Sequence, residues 1–137
     1  MLKFTRSLLT GSFAFGNPRH DSDVDLVVLV RPEDLGVLIQ ESDGCGQSGD
    51  VTSISLKFGK LNLICETNEA VFQRWRVGTK ALKQIADLRG EGVSREEAVA
   101  VFEGLRRQEV EDYWNSPVML RLTACGLHDG TIQKTKE

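Results

Sequence analysis

GSFAFGNPRHDSDVDL, residues 11 to 26, lies between two apolar runs, Ser7 to Thr10 before it and Val27 to Val30 after it. In an extended chain successive side chains alternate between faces, so Asp23 and Asp25 share one face and Val24 and Leu26 the other. At about 3.3 Å of rise per residue the two carboxylates stand roughly 7 Å apart. That spacing suits a hard cation gripped from one side, because Mg²⁺ takes oxygen ligands, commonly one or two carboxylates together with waters and substrate phosphates. Without such a cation, two like charges at the mouth of an apolar run incur repulsion and desolvation.

The Gly-Ser pair supplies the complementary half. Gly11 lets backbone approach a ligand with no Cβ in the way, and Ser12 is a favoured N-cap for a short helical turn through Phe13, Ala14 and Phe15. The unpaired N–H groups of a helix start receive phosphate oxygens. Taken singly, a Gly-Ser pair is turn punctuation and an Asp-x-Asp a solvated loop. Their combination at the ends of two apolar runs points to a nucleotide-phosphate site.

Gly11-Ser12, ten residues, then Asp23-Val24-Asp25-Leu26 resembles the nucleotidyltransferase superfamily typified by DNA polymerase beta, in particular its small single-domain members. The fuller spelling GSxAxG, five residues, SDxD brings Gly16 and Ser22 into register as well. The resemblance covers about the first half of the chain. It implies an α/β (α+β) nucleotidyltransferase fold: a mixed sheet of about four strands flanked by helices, with a helical C-terminal half. It also implies Asp23 and Asp25 as metal ligands for Mg²⁺ or Mn²⁺, and Gly11, Ser12, Gly16 and Ser22 as nucleotide-binding residues.

The remaining composition is that of an ordinary globular chain of 137 residues, 40% hydrophobic and 27% charged. Residues 1–128 read as a single domain and 129–137 as a frayed polar tail. A formal charge of -3 argues against general affinity for nucleic-acid backbone, which needs clustered Lys and Arg. Cys45, Cys65 and Cys125 lack metal-ligand spacing and a disulfide framework, so a reducing, cytoplasmic setting is expected. The apolar part of the first residues is too short for a signal h-region and no later run approaches membrane-spanning length, so no membrane partner is expected.

Outward from the central stretch, residues 3 to 10 read as a strand. The superfamily commonly places a helix before it, so here that helix is missing or the chain as read starts late. A second strand runs from the Asp pair through VVLV to Arg31, apolar on both faces as a central strand must be. Pro32 opens a short helix with Leu35, Leu38 and Ile39 on one face. Ser42 to Asp50, SDGCGQSGD, reads as a flexible linker. Ser53–Phe58 and Leu61–Thr67 form a hairpin, because Gly first in the two-residue loop Gly59-Lys60 signals a type II′ turn. Asn68 caps a helix with Val71, Trp75, Leu82 and Ile85 on one stripe. Ser94 and Glu97 form a capping box for a last helix through Ala98, Val101, Phe102 and Leu105 toward Tyr113-Trp114. Ser116-Pro117 restarts a turn or short helix.

On the second hairpin strand the resemblance places a third carboxylate, which binds the catalytic metal and helps deprotonate the attacking hydroxyl. The matching residue is Asn62. Its carbonyl coordinates but carries no charge and accepts no proton at neutral pH. Glu66, two pleats along the same face, and His20 in the preceding loop are candidate substitute bases, against the simpler and favoured readings of a surface Glu and a loop His. Phe13 stands where related motifs often carry Arg. Of the helix cations Arg74, Arg76, Lys80 and Lys83, the resemblance points to phosphate or acceptor contacts, and Lys80 is the candidate kept.

Two functions stay open. One is a Mg-dependent transfer of a nucleoside monophosphate from a nucleoside triphosphate to an acceptor hydroxyl on a small molecule, RNA or protein. The other is a catalytically impaired nucleotide-binding regulatory or interaction module of the same fold. Small members of the superfamily often dimerise or pair with a helical partner protein, and either association is an expectation here.

Overall fold

The computed structural model describes residues 5–47 and 53–114, with side chains for 5–46 and 53–108. The expectations for the first residues, for Ser116-Pro117, for Cys125 and for the tail from Asp129 lie outside the described residues. The chain divides into two compact units, Met1–Phe102 and Glu103–Glu137. The first contains the sheet and is the one that matters for the site.

Among the described residues five strands form one mixed sheet: β1 (Arg6–Thr10), β2 (Val24–Leu29), β3 (Gly44–Gln47), β4 (Ile54–Phe58) and β5 (Leu61–Glu66). Their spatial order is β1-β2-β5-β4-β3. β2 runs antiparallel to β1 and parallel to β5, while β4 is antiparallel to both β5 and β3. Four helices among the described residues accompany them: α1 (Ser12–Phe15), α2 (Pro32–Glu41), α3 (Glu69–Arg89) and α4 (Arg95–Trp114). The class is mixed α/β, as expected, with one strand more than the sequence suggested.

That extra strand is a correction. Gly44–Gln47 was expected to be linker and instead pairs with β4, Cys45 opposite Leu56 and Gly46 opposite Ser55. An edge strand needs only backbone N–H and C=O groups on one side, and two glycines hide it from any side-chain pattern.

The hairpin forms as expected. Gly59 has φ +63° and, among the described residues, no non-glycine residue has a positive φ, which fits a turn with Gly at its first central position. Alternation along β5 then sorts the two faces. Leu61, Leu63 and Cys65 join Val28, Val30, Leu56 and Leu38 of α2 in one apolar layer. Ile64, with Val27 of β2, meets Phe72 and Trp75 of α3 on the other. Ile39, expected inside with Leu38, is exposed.

Helix α3 starts where Asn68 Oδ1 accepts from the N–H groups of Ala70 (2.8 Å) and Val71 (3.3 Å), satisfying two of the donors left open at a helix start. The capping box of α4 is also present: Glu97 N–H donates to Ser94 Oγ at 3.2 Å, and Ser94 N–H to Glu97 Oε1 at 3.1 Å. Phe15 of α1, Leu82 of α3 and Ala98 of α4 share a third apolar cluster with Val93. Burying each large side chain of this kind contributes about 1.5–3 kcal/mol. Together they hold α1 against α3 and the start of α4.

Candidate functional site

The sheet register places the site residues side by side. Asp25 is the ladder partner of Thr10 on β1 and of Asn62 on β5, and Asn62 is in turn the partner of Lys57 on β4. Partners across a ladder point to the same face, so Asp25, Asn62 and Lys57 form a row across three strands. Asp23, just before β2, belongs to that face by alternation.

Each side chain of the row has a polar partner on this face. Asn62 Nδ2 donates to Asp25 Oδ1 at 3.0 Å. Ser55 Oγ donates to Asn62 Oδ1, so the carbonyl of Asn62 is turned toward β4 and its amide nitrogen toward Asp25. Lys57 Nζ is paired with Asp23 Oδ2, both side chains about half exposed. Two carboxylates, one amide and one ammonium thus share one face at the end of β2.

Gly11 is the N-cap of α1, a place the sequence assigned to Ser12, which is instead the first helical residue. Its backbone takes φ 73° and ψ -160°, a region essentially restricted to glycine. Space requires glycine too: a Cβ there would lie 2.2 Å from Asp25 Oδ2 and 3.0 Å from its Cγ. Asp25 is therefore packed against the backbone that opens α1. The N–H groups of Ala14 and Phe15 donate to the Gly11 carbonyl, while the first amides of any helix have no intrahelical acceptor. The turn and the Asp25 carboxylate thus lie side by side.

The other named residues divide. Gly16 closes α1, its N–H donating to the Ser12 carbonyl at 3.0 Å, with a would-be Cβ 2.8 Å from Ser12 Cα. Ser22 Oγ accepts from Arg19 N–H at 2.8 Å and its own N–H donates to the Arg19 carbonyl, which fixes the turn leading into Asp23. Their described bonds shape the loop. Lys80 is exposed on α3, and no hydrogen bond or ion pair among the described residues joins it to Asp23 or Asp25. It follows Thr79, whose hydroxyl bonds that of Thr10 at 2.8 Å in a buried contact. That contact fastens α3 to the strand position opposite Asp25.

Glu66 is not the surface residue that its sequence context suggests. It is buried, with Ser53 Oγ and Trp75 Nε1 (2.8 Å) donating to Oε2. It lies at the far end of β5, opposite Leu29, and serves the packing of α3 on the sheet. His20 stays in the exposed loop, its backbone carbonyl accepting from Lys60 Nζ at 3.3 Å. Three residues that shape the site carry no signal in the sequence: Ser55, Lys57 and Gly92. A Cβ on Gly92 would sit 2.4 Å from the backbone of Gly16, and the Val93 N–H donates to the Phe15 carbonyl. The segment before α4 is thereby locked onto α1.

The donor set fits a divalent ion in part. Asp25 uses Oδ1 for Asn62 and turns Oδ2 toward the Gly11 cradle, while Asp23 shares the face. Among the described residues no three His, Cys, Asp or Glu side chains converge, since the third position is an amide. No family model matches the chain, and neither a curated protein nor a solved structure matches it.

Proposed function

We propose that the chain has the nucleotidyltransferase fold and binds a nucleoside triphosphate with Mg²⁺, or Mn²⁺ in its place. In the full reaction a nucleoside monophosphate passes to an acceptor hydroxyl and pyrophosphate leaves. The observation that carries the reading is the packing of Asp25 against Gly11, with Asn62 opposite on the neighbouring parallel strand. The Asn62 amide occupies Oδ1 of Asp25, but Oδ2 lies against the strained backbone of Gly11, where a divalent ion held by the carboxylate beside bound phosphates would give both a purpose. Topology supports the same reading, because the strand bearing the Asp pair lies between the strand before the turn and the strand of the third position.

Asp23 and Asp25 would hold the ion, and Gly11 and Ser12 would orient the outer phosphates through their backbone. Bound magnesium neutralises charge that builds on the phosphates during transfer. The test is titration calorimetry with Mg²⁺ and a non-hydrolysable triphosphate. Asp23→Asn and Asp25→Asn should each abolish metal-dependent binding, and undiminished affinity in either would end the assignment. The acceptor, whether small molecule, RNA or protein, is not fixed by the fold. Light scattering would report a homodimer.

One observation favours the second reading, a nucleotide-binding module without turnover. The amide of Asn62 already satisfies Asp25, and its carbonyl is held by Ser55, so no proton acceptor faces the attacking hydroxyl at this position. Asn62→Asp decides between the two: appearance of transfer in an otherwise inactive chain marks the natural form as a binding module. Transfer by the unmodified chain, lost in Asp25→Asn, marks it as an enzyme.

A further inference from the structure

We infer that Lys57 is a phosphate-binding residue of this site, which in the nucleotide-free chain is held in place by Asp23. The inference rests on the triphosphate reading above. Lys57 is the ladder partner of Asn62, which is the partner of Asp25, so its side chain leaves the sheet on the site face. Its Nζ reaches across β5 to Asp23 Oδ2. Both members are about half exposed, and an exposed ion pair of this kind is weak enough to exchange partners.

The electrostatics give the exchange a direction. Three carboxylates at this face would carry a charge of -3 and favour a bare cation. Asp23, Asp25, the neutral Asn62 and Lys57 together carry -1. Such a face attracts a bare divalent cation less and repels the anionic metal–triphosphate complex less. Asp23 and Asp25 would hold the metal of that complex, and Lys57, released from Asp23, would be free to bind phosphate oxygens, for which an ammonium is a common point-charge ligand. Replacing the third carboxylate by Asn62 and placing Lys57 beside it thus act in one sense: they turn a cation trap into a receptor for the preformed complex.

The experiment is calorimetry on the full chain and on Lys57→Gln, with MgCl₂ alone and with magnesium tripolyphosphate, a probe that needs no base recognition. Lys57→Gln should bind Mg²⁺ alone roughly two- to fivefold more tightly, since Asp23 loses a competing cation. It should bind magnesium tripolyphosphate roughly tenfold or more weakly, since a charged hydrogen bond is lost. Lys57→Arg should keep most of the second affinity. A merely structural lysine would move both affinities the same way or neither, and that result overturns the inference while the triphosphate reading survives. An unmodified chain that binds no magnesium tripolyphosphate removes both.

Discussion

Asn62 Nδ2 donates to Asp25 Oδ1 at 3.0 Å across the parallel pair β2 and β5. A neutral amide thus does in the folded chain what a bound cation does between two carboxylates: it removes the mutual repulsion at the rim of a buried strand. Asn62→Asp should reverse this. With no divalent ion, a lost hydrogen bond and a new like-charge pair on adjacent strands should lower stability by about 1–2 kcal/mol. Added Mg²⁺ should restore it, by mass action on the folded state. Urea denaturation with and without Mg²⁺ measures both, and a variant whose midpoint ignores the ion would show that no cation sits between these side chains.

Gly11 and Gly59 separate two uses of a positive φ. Both take it, at +73° and +63°, but a Cβ on Gly59 meets nothing within 4 Å, whereas on Gly11 it strikes the Asp25 carboxylate. Gly59→Ala should cost about 1 kcal/mol of backbone strain and leave magnesium-triphosphate binding intact. Gly11→Ala should cost about 1–3 kcal/mol and abolish binding, because the carboxylate has to move. Equal binding by the two variants, at matched stability in thermal melts, would detach the turn from the site.

The features that were legible in the sequence are those whose cause is local. A glycine at the first turn position, Asn68 ahead of an apolar stripe, and Ser94 three residues before Glu97 each fix an element through bonds within a few residues. The Asp pair was legible for the same reason, since alternation alone puts Asp23 and Asp25 on one face. The features that were missed depend on register between distant strands. Nothing near Lys57 says that its partner is Asn62, and nothing near Glu66 says that Trp75 and Ser53 will enclose it. β3 escaped because its pairing uses backbone, and Gly92 because only the folded chain brings Gly16 beneath it.

Cys65 and Cys45 should differ sharply in reactivity. Burial raises the Cys65 thiol to about 11, with the neighbouring Glu66 charge adding to the rise, while Cys45 on the edge strand is exposed. At pH 8 only about one Cys65 in a thousand would be thiolate even if a reagent reached it. With Cys125 replaced by Ser, iodoacetamide should modify one sulfur in the native protein and two in urea, and peptide mass mapping should place the first at Cys45. Rapid native labelling of Cys65 would mean that β5 is not covered as described.

Glu97 is the group whose titration most directly reports the start of α4. Its carboxyl is held down to about 2, first by the side-chain hydrogen bond from Arg89, then by the backbone and hydroxyl bonds of Ser94. An acid whose folded value lies below its unfolded one contributes stability that is fully present above about pH 4.5 and is lost as the pH falls toward 2. The α4 start should therefore loosen across that window. Carbon-detected NMR of the Glu97 carboxyl should show a midpoint near 2 in the unmodified chain, rising in Arg89→Gln and, by less, in Ser94→Ala. The pair is exposed, so added salt should weaken the Arg89 contribution while leaving that of Ser94, a short-range hydrogen bond, nearly unchanged. A Glu97 midpoint in the ordinary carboxylate range at low salt would mean that neither the ion pair nor the capping box persists in solution.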